Sequence, residues 1–537
     1  MRRLKLAVVA VLVACAVVVG PAGTTSAQTP KRGGTVIVAT NSLAEPQCLG
    51  WLPVCDELAR AEWRHKVLAR PFVSGPDGLR NHLVERYEVT KDPFAITFHI
   101  RPLARWSDGV PITARDFVFA HKTYLEHLRL ANDDPFRKAI RRVQAVDAKT
   151  VRFVFRARYG SWRTLLNFPP LPRHVLRGQD LASADLWRHR IDNPKTGKPI
   201  ASGPFLMGRW ERGKQLTLIR NRRYWGRHKA YLDRVVLRFV RGPDTVQALR
   251  SGEFDLGVVT PPFPELEGDR RFRMLPTQWV AWEHFEFRVG PGGHPALKNK
   301  LVRRGLAYGI DRSRLVRALF GAWAPPVLDN TMYFSNERSY EPNWRRYRYR
   351  PDEARRLLAQ AGCRRGADGI YACAGERLRL RFVTTAAVPL RERVLGLVQK
   401  QLRRAGVEVA PAYAPNEPLF GTVLPSGNFD VSLFNYSRLS ELQDSQFRCE
   451  SSFTGYCSRL VNADSDQLDR IVEPARRVAV ANRIDRRLAA DVPALPLFQI
   501  PLIYVVRKGL RDVVPNGFGP LTTGGTLWNA EDWWLER

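Results

Sequence analysis

The feature that most constrains the fold is a strand that runs into an aromatic turn and then into a capped helix. Residues 96–101 alternate apolar and polar side chains, which is the period-two pattern of a half-buried strand. Ser107–Gly109 follows as a turn, and its glycine supplies a positive φ. Thr113, with Asp116 three residues later, predicts the start of a helix. The stretch therefore predicts a rigid corner of an α/β domain, and not an active site.

The length of the chain predicts more than one domain. At 537 residues it exceeds what one hydrophobic core usually holds, so we expect two or three domains. Hydrophobic residues make up 44% of the sequence, which is ordinary for a globular protein.

The N-terminus has the pattern of an export signal. A basic start precedes an apolar segment over residues 6–19, and small residues at 25–27 form a cleavage site. We assign residues 1–27 to a signal peptide and expect export to the cell envelope, either periplasmic or extracellular. The alternative is a lipoprotein anchored at Cys15, because residues 12–15 resemble a lipobox. No later stretch is apolar over the roughly 18 residues that a transmembrane helix needs.

The charge is strongly basic, with 85 Lys and Arg against 52 Asp and Glu and a formal net charge of +33. A nucleic-acid-binding protein normally concentrates such charge in a run or a recognition motif. Here arginine is spread through every segment, as in Arg345-Arg346 and Arg403-Arg404. We therefore expect no nucleic-acid partner, and a basic solvated surface that is attracted to an anionic cell envelope.

Cysteine spacing agrees with export. Beyond Cys15, the six cysteines fall into three close pairs. Six cysteines allow many connectivities, but close spacing favours local pairing in an oxidising compartment. A zinc site would need tighter C-x-x-C spacing. We predict the disulfides Cys48–Cys55, Cys363–Cys373 and Cys449–Cys457.

Motifs of catalysis and metal binding are missing from the sequence. It contains no H-E-x-x-H, no phosphate-binding P-loop and no G-x-S-x-G. His121 and His127 are six residues apart, whereas two ligands on one face of a helix are three or four residues apart. The two histidines would therefore not bind one metal ion together. Local cysteine pairing also argues against a thiol nucleophile. We expect no enzymatic activity, no cofactor and no metal.

The stretch from Ile96 to Asp116 resembles the signature of the extracytoplasmic solute-binding proteins of ABC importers, family five, the oligopeptide-, dipeptide- and nickel-binding group. Further stretches resemble the same family in the same order, so that the resemblance covers nearly the whole chain after the signal. These stretches are Ser202–Phe205, Asn221–Gly226, Leu301–Arg312, Asp491–Phe498 and Trp528–Trp534.

The resemblance implies an α/β fold like that of periplasmic binding proteins, with two lobes, a hinge, mixed sheets flanked by helices and a subdomain inserted in lobe one. The expected boundaries are 28–285 for lobe one with the inserted subdomain at 67–200, 286–494 for lobe two, and 495–537 for a C-terminal return to lobe one. Two crossings, near Phe285–His294 and Asp491–Pro496, would form the hinge.

The resemblance also implies a function. We expect a monomer that captures a peptide-like or other medium-sized organic solute in a cleft between the lobes and delivers it to an ABC permease in the membrane. The alternative is a family-like envelope receptor, sensor or adhesion protein without a transport role. A secreted hydrolase is a distant third.

Mapping the family's cleft walls onto this chain gives an aromatic set with one cation. The expected solute-binding residues are Trp51, Trp282, Phe285, Tyr436 and Arg438. Aromatic walls with a few polar groups suit a medium-sized organic solute.

One position departs from the peptide-binding members of the family. Their aspartate, which holds the α-amine of the peptide, falls here on Leu439, and Tyr436 takes the place of the preceding tryptophan. A buried ammonium would lose its partner there. We therefore expect weak or no binding of free-amine dipeptides and a solute that is anionic, capped or non-peptidic. Arg438 would face an anionic group or solvent, and Asp444 is an alternative carboxylate.

Overall fold

The computed structural model describes residues 29–41, 63–76, 78–127, 135–242, 244–438, 442, 444–517 and 525–536. The predicted signal peptide at 1–27 with Cys15, the predicted pair Cys48–Cys55, Trp51 and Leu439 lie outside the described residues.

The strands of the described residues, in chain order, are β1 Thr35–Asn41, β2 Phe72–Gly75, β3 Gly78–Asn81, β4 Val84–Lys91, β5 Phe94–Ile100, β6 Ile140–Ala145, β7 Thr150–Phe155, β8 Phe205–Glu211, β9 Gln215–Arg220, β10 Arg234–Val240, β11 Leu256–Val259, β12 Phe272–Phe287, β13 Arg364–Arg365, β14 Tyr371–Cys373, β15 Glu376–Arg377, β16 Arg379–Thr385, β17 Glu408–Ala414, β18 Val431–Ser437, β19 Ala494–Arg507, β20 Leu510–Arg511 and β21 Trp534–Leu535.

The helices are α1 Arg64–Val67, α2 Ala114–His127, α3 Pro135–Ala139, α4 Trp162–Leu165, α5 Arg173–Leu176, α6 Ala184–Arg188, α7 Asp244–Ser251, α8 Lys300–Gly309, α9 Arg312–Phe320, α10 Pro351–Gln360, α11 Pro389–Arg404, α12 Asn416–Pro418, α13 Leu424–Ser426, α14 Arg459–Arg470 and α15 Pro474–Asp491. A π-helical turn at Leu419–Val423 joins α12 to α13. In the described part of the chain, no helix is both long enough and apolar enough to cross a membrane.

One large mixed sheet organises the molecule. Its ten strands lie in the order β17-β16-β18-β12-β19-β11-β1-β10-β9-β8, and helices flank it. A separate four-stranded sheet, β4-β5-β7-β6, lies within the range predicted for the inserted subdomain. The predicted α/β class with mixed sheets is confirmed.

Two strands are much longer than the others and run side by side through the middle of the large sheet. β12 and β19 are antiparallel, and they pair from Phe272 with Arg507 to Glu286 with Ala494. Their register shifts between Gln278 and Trp282, where a β-bulge interrupts the hydrogen bonding between the two strands.

The buried side chains of the described residues form two large hydrophobic cores. The first core takes side chains from β1, β5, β7 to β11, α2 and α4, and also from the later half of β19. The second core takes side chains from β16 to β18, α8, α9, α11, α14 and α15, and also from the later half of β12 and the earlier half of β19. β12 and β19 therefore connect the two cores.

The change of core lies inside these two strands. Phe285 and Leu495 already belong to the second core, whereas Tyr504 belongs to the first. The change therefore comes before Phe285–His294 along the chain, and after Asp491–Pro496, which are the crossings expected from the sequence. The lobe boundaries themselves stay a prediction.

The strand, turn and helix that opened the sequence analysis form as predicted, with one difference. β5 is followed by a turn in which Gly109 has a φ of 99°, and α2 begins at Ala114, directly after Thr113. The Thr113 N–H donates to the Asp116 carboxylate at 2.7 Å. β5 is buried on both faces and not on one, since Thr97 is only 7% exposed.

Two of the three predicted disulfides lie in described residues, and both form. Cys363 is bonded to Cys373 with an S–S distance of 2.04 Å, and Cys449 to Cys457 at 2.13 Å. Each closes a short loop in the part of the chain that contributes to the second core.

Candidate functional site

The direction of the strands defines one crevice. β1 is parallel to β10 and β11, and β19 is antiparallel to both β11 and β12, so β1, β10 and β11 all run in the direction of β12, toward the second core. β16 and β18 are parallel to each other, and β18 is antiparallel to β12, so both run toward the first core. The carboxyl ends of the two sets therefore face each other. Open α/β sheets bind ligands outside such carboxyl ends.

Four polar side chains meet at the carboxyl ends of β16 and β18. We call them the edge cluster: Glu283, Thr385, Arg391 and Asn435. The Arg391 guanidinium lies in the first turn of α11 and contacts Glu283 Oε1 at 3.2 Å and Thr385 Oγ at 2.8 Å. Asn435 Nδ2 donates to Glu283 at 3.4 Å. Glu283 is 2% exposed and Arg391 is 7% exposed. A buried ion pair of this kind holds a guanidinium and a carboxylate in fixed positions.

The opposite face of β12 and β18 carries a row of rings, which we call the aromatic ladder: Trp282, His284, Phe434 and Tyr436. Alternate residues of a strand share a face, and the register pairs Trp282 with Tyr436 and His284 with Phe434. The His284 ring is stacked on Tyr436 with centroids 4.5 Å apart, and Trp282 lies 4.5 Å from His284. The ladder begins at the crevice and extends into the second lobe's half of the sheet.

Polar atoms with unused hydrogen-bonding capacity lie along this ladder. His284 Nε2 lies 3.4 Å from Glu286 Oε1, whereas His284 Nδ1 and Ser432 Oγ have no hydrogen-bond partner within the described residues. All three side chains are nearly fully buried. Burial raises the pKa of Tyr436 well above its ordinary value, and the nearby Glu286 carboxylate raises it further. Buried polar groups are normally bonded, so this row can accept further polar contacts.

The structure brings two of the predicted solute-binding residues together and separates a third. Trp282 and Tyr436 lie with ring centroids 5.9 Å apart. Phe285 is fully buried in the second core and packs against Phe382 at 5.4 Å. It does not join the other two because residues 282 and 285 of one strand point to opposite faces.

Arg438 is neither at a solvent-facing position nor free of partners. Its terminal nitrogens donate to the two carboxylate oxygens of Glu337 at 2.6 and 2.8 Å, and its guanidinium lies over the Phe334 ring at 4.4 Å. Only 5% of the residue is exposed. The predicted role of Arg438 toward an anionic solute stays a prediction, and this pairing supports a structural role instead.

Asp444, the alternative carboxylate, is also paired. Its Oδ2 accepts from Arg448 Nη2 at 3.0 Å.

Sequence reasoning missed the edge cluster. Glu283 and Arg391 are 108 residues apart, and no local pattern connects them. A signal that could have indicated it is the position of Thr385 at the end of β16 and of Arg391 in the first turn of α11, where α/β folds place binding groups. Within the described residues, no group of three or more His, Cys, Asp or Glu side chains could hold a metal ion.

Comparison with known proteins agrees with this geometry. The family model of bacterial extracellular solute-binding proteins, family 5 Middle, matches residues 78–448. The oligopeptide-binding protein OppA of Mycobacterium tuberculosis is 26% identical over 477 residues, which cover 84% of this chain and 78% of OppA. Protein XP55 of Streptomyces lividans is 27% identical over 471 residues, with coverages of 82% and 80%.

Solved structures share the fold. The periplasmic EDTA-binding protein EppA superposes with a TM-score of 0.79 at 18% identity, covering 95% of this chain and 98% of EppA. The oligopeptide-binding protein AppA of Bacillus subtilis, in complex with a nonapeptide, superposes with a TM-score of 0.70 at 19% identity, covering 95% of this chain and all of AppA. The chain belongs to the bacterial extracellular solute-binding proteins of family 5.

Proposed function

We propose that this chain captures a medium-sized organic solute in the crevice between the two sets of strand ends and delivers it to an ABC permease in the membrane. The observation that carries the proposal is the pair of facing carboxyl edges, connected by β12 and β19. Oligopeptide-binding relatives with the same architecture support a peptide-like solute. The chain acts as a binding protein without catalysis, and as a monomer.

The coarse division into two lobes follows the sequence expectation of 28–285, 286–494 and a return at 495–537, but the crossings lie inside β12 and β19, before Phe285 and after Pro496. β12 and β19 act as the hinge, and closure of the lobes buries the solute. The export pattern at 1–27 supports a position in the cell envelope, with an anchor at Cys15 as the alternative.

The edge cluster and the crevice end of the aromatic ladder contact the solute. Arg391 and Arg438 each pair with a carboxylate, Glu283 and Glu337 respectively. We take Arg391 as the candidate for an acidic group of the solute because Thr385 and Asn435, at the carboxyl ends of β16 and β18, surround the same ion pair. Trp282 and Tyr436 contribute apolar surface. With Leu439 at the position of the amine-binding aspartate, we expect the solute to be anionic, N-terminally capped or non-peptidic.

Calorimetry with the full mature chain tests this proposal. The titrants are a dipeptide and tetrapeptide panel, each peptide in free-amine and N-acetylated form. Submicromolar binding that survives acetylation supports the proposal, and binding abolished by acetylation contradicts the proposed solute class. A chain that binds none of these solutes, and shows no change in tryptophan fluorescence with them, contradicts the peptide-like solute and favours an envelope receptor.

A matched pair of variants tests the edge cluster. Arg391→Met removes the cation proposed to pair with an acidic group of the solute, so we expect it to weaken binding of the tightest peptide at least about tenfold. Arg393→Met is the control, because Arg393 lies on the same helix and is exposed. Equal affinities of the two variants would remove Arg391 from the site.

A further inference from the structure

A contact far along the chain from β12 and β19 also connects the two cores. The backbone N–H of Gly160 donates to the Asp469 carbonyl at 2.6 Å. Gly160 precedes α4, whose Trp162 is buried in the first core, whereas Asp469 lies in the last turn of α14, which packs in the second core. Val472, just after α14, packs against the first core. The two halves of the molecule therefore meet at this point as well as in the central strands.

The segment that carries Gly160 is fixed in the first core on both sides. Before it, the Tyr159 ring is stacked on Phe155, with centroids 6.2 Å apart and planes at 16°. After it, Trp162 is 1% exposed and meets Tyr87 edge to face at 5.0 Å. Ring contacts of this kind leave the backbone between them little freedom to shift. Gly160 is presented to α14 by a rigid support.

The approach of the two backbones requires glycine. A Cβ at residue 160 would lie 2.5 Å from the Ile471 carbonyl oxygen and 2.8 Å from the Leu468 carbonyl oxygen. Both atoms belong to the backbone, so neither can move aside as a flexible side chain would. Any larger residue at position 160 must displace the Arg477 guanidinium, whose Nη1 would lie within 2 Å of the Cβ, and must also push the end of α14 away.

The receiving surface is the C-terminal end of α14, where the last carbonyls of a helix have no partner within the helix. Arg477, only 4% exposed, donates from Nη1 to the carbonyls of Leu468 at 3.0 Å and Ile471 at 2.9 Å. The Asp469 carbonyl accepts from Gly160, and Arg477 Nη2 contacts Ser161 Oγ at 3.4 Å. The helix end is thus capped partly by its own core and partly by the opposite one.

We propose that Gly160-Ser161 and the C-terminal end of α14 form a latch that holds the two lobes together in the arrangement of this structure. The latch rests on the lobe movement of the proposed function, but it does not depend on which solute is bound. Opening separates the Gly160 N–H from the Asp469 carbonyl and exposes the buried Arg477 guanidinium to water. The latch therefore favours the arrangement in which these contacts are made and slows the separation of the lobes.

Small-angle X-ray scattering of a glycine pair tests the latch. Gly160→Ala inserts a methyl group between the two backbones, and Gly396→Ala is the control, because a Cβ at Gly396 meets nothing within 4 Å. We expect a larger radius of gyration for Gly160→Ala than for the wild type, and no change for Gly396→Ala. Equal radii for all three chains would overturn the latch.

Hydrogen exchange supplies a second measurement that keeps the glycine. In the wild type, the Gly160 amide should be protected. Arg477→Met should accelerate its exchange about five- to tenfold, the effect of weakening one buried hydrogen bond. Arg476→Met, which changes the exposed neighbour, should leave the rate unchanged. A wild-type Gly160 amide that exchanges at the rate of a free peptide would overturn the latch.

These outcomes are separable from those of the solute experiments. A chain that binds a peptide but has equal radii in the glycine pair keeps the proposed function and loses the latch. A chain that binds no solute but opens in Gly160→Ala keeps the latch and loses the peptide-like solute.

Discussion

Two regions of the molecule are stabilised by opposite means. The four-stranded sheet β4-β5-β7-β6 and its helix α2 are packed with aromatic rings, and Phe98 has ring neighbours at Phe72, Phe153 and Trp162 at 5.6, 5.2 and 6.3 Å. The segment 324–350 has almost no regular secondary structure, and buried charged side chains hold it in place. We call these regions the aromatic sheet and the irregular segment.

Two buried side chains, Arg312 and Asp485, form many of the hydrogen bonds that fix the irregular segment. Arg312 donates to the carbonyls of Leu328 at 2.9 Å and Trp344 at 3.0 Å, and to the Asp329 carboxylate at 2.9 Å. Asp485 is fully buried and accepts from the Thr331 N–H at 2.8 Å, the Thr331 hydroxyl at 2.6 Å, Asn343 Nδ2 at 2.8 Å and Trp344 Nε1 at 3.0 Å.

The difference follows from where the backbone hydrogen bonds go. In the aromatic sheet, the ladders pair the backbone groups, so side chains are free to be apolar and to pack. In the irregular segment, the backbone N–H and C=O groups are not paired with a neighbouring strand, so buried side chains form hydrogen bonds with them instead. Apolar packing loses stability in proportion to the volume removed, whereas a polar centre loses stability with the number of buried donors left without an acceptor.

The largest expected effect breaks the aromatic sheet. Phe98→Ala removes a fully buried ring and should lower the free energy of unfolding by about 4 kcal/mol. Phe98→Leu retains most of the volume and should cost about 1 kcal/mol. Urea unfolding followed by circular dichroism measures both. Hydrogen exchange should accelerate in residues 84–155 and stay unchanged in 324–350, and the reverse would contradict the comparison.

A somewhat smaller loss should come from the polar centre. Asp485→Ala leaves several buried donors without an acceptor and should cost about 3 kcal/mol. Asp485→Asn keeps one acceptor oxygen and should cost only about 1 kcal/mol. Thermal unfolding of the two variants measures the difference. Equal losses would show that volume, and not hydrogen bonding, matters at this position.

Replacing Arg312 sharpens the comparison further. Arg312→Lys keeps the charge but loses the planar fork that reaches three acceptors at once, and it should cost about 2 kcal/mol. Arg314→Lys, on the exposed side of the same helix, is the control and should change stability by less than about 0.5 kcal/mol. If the lysine variant is as stable as the wild type, charge alone holds the irregular segment.

The smallest expected effect is a dependence on pH. Burial raises the pKa of Asp485 above its ordinary value. Its stabilising contribution is therefore fully present below the ordinary aspartate pKa and declines as pH rises through the raised pKa of the folded state. The wild type should lose stability relative to Asp485→Asn as pH increases over that range, whereas Phe98→Leu should follow the wild type at every pH. A constant difference from Asp485→Asn would contradict a raised pKa.

Local patterns predicted local structure well. The alternation at 96–101 predicted β5, and Thr113 directly precedes α2 as predicted, with its N–H donating to the Asp116 carboxylate at 2.7 Å. Such features depend on residues a few positions apart, so the sequence contains all of their physics. The resemblance to a family then supplied the overall fold.

The polar contacts of the candidate site could not be predicted in the same way. Glu337 pairs with Arg438 across 101 residues, and Glu283 pairs with Arg391 across 108. Burial and pairing at such separations depend on the completed fold. Phe285 was expected on the cleft wall because the family's cleft walls were mapped onto this chain, whereas alternation along β12 places it on the face opposite Trp282, in the second core.

The position of β19 has a consequence for how the chain matures. This strand is formed by residues 494–507, yet it lies in the middle of the large sheet between β12 and β11. Neither half of the sheet can be completed until this late segment has been synthesised, because each half needs it as a neighbour. Pairings over such long sequence separations form slowly. A chain that lacks this late segment leaves β11 and β12 each with an unpaired edge in the middle of the sheet, where another chain could pair with them.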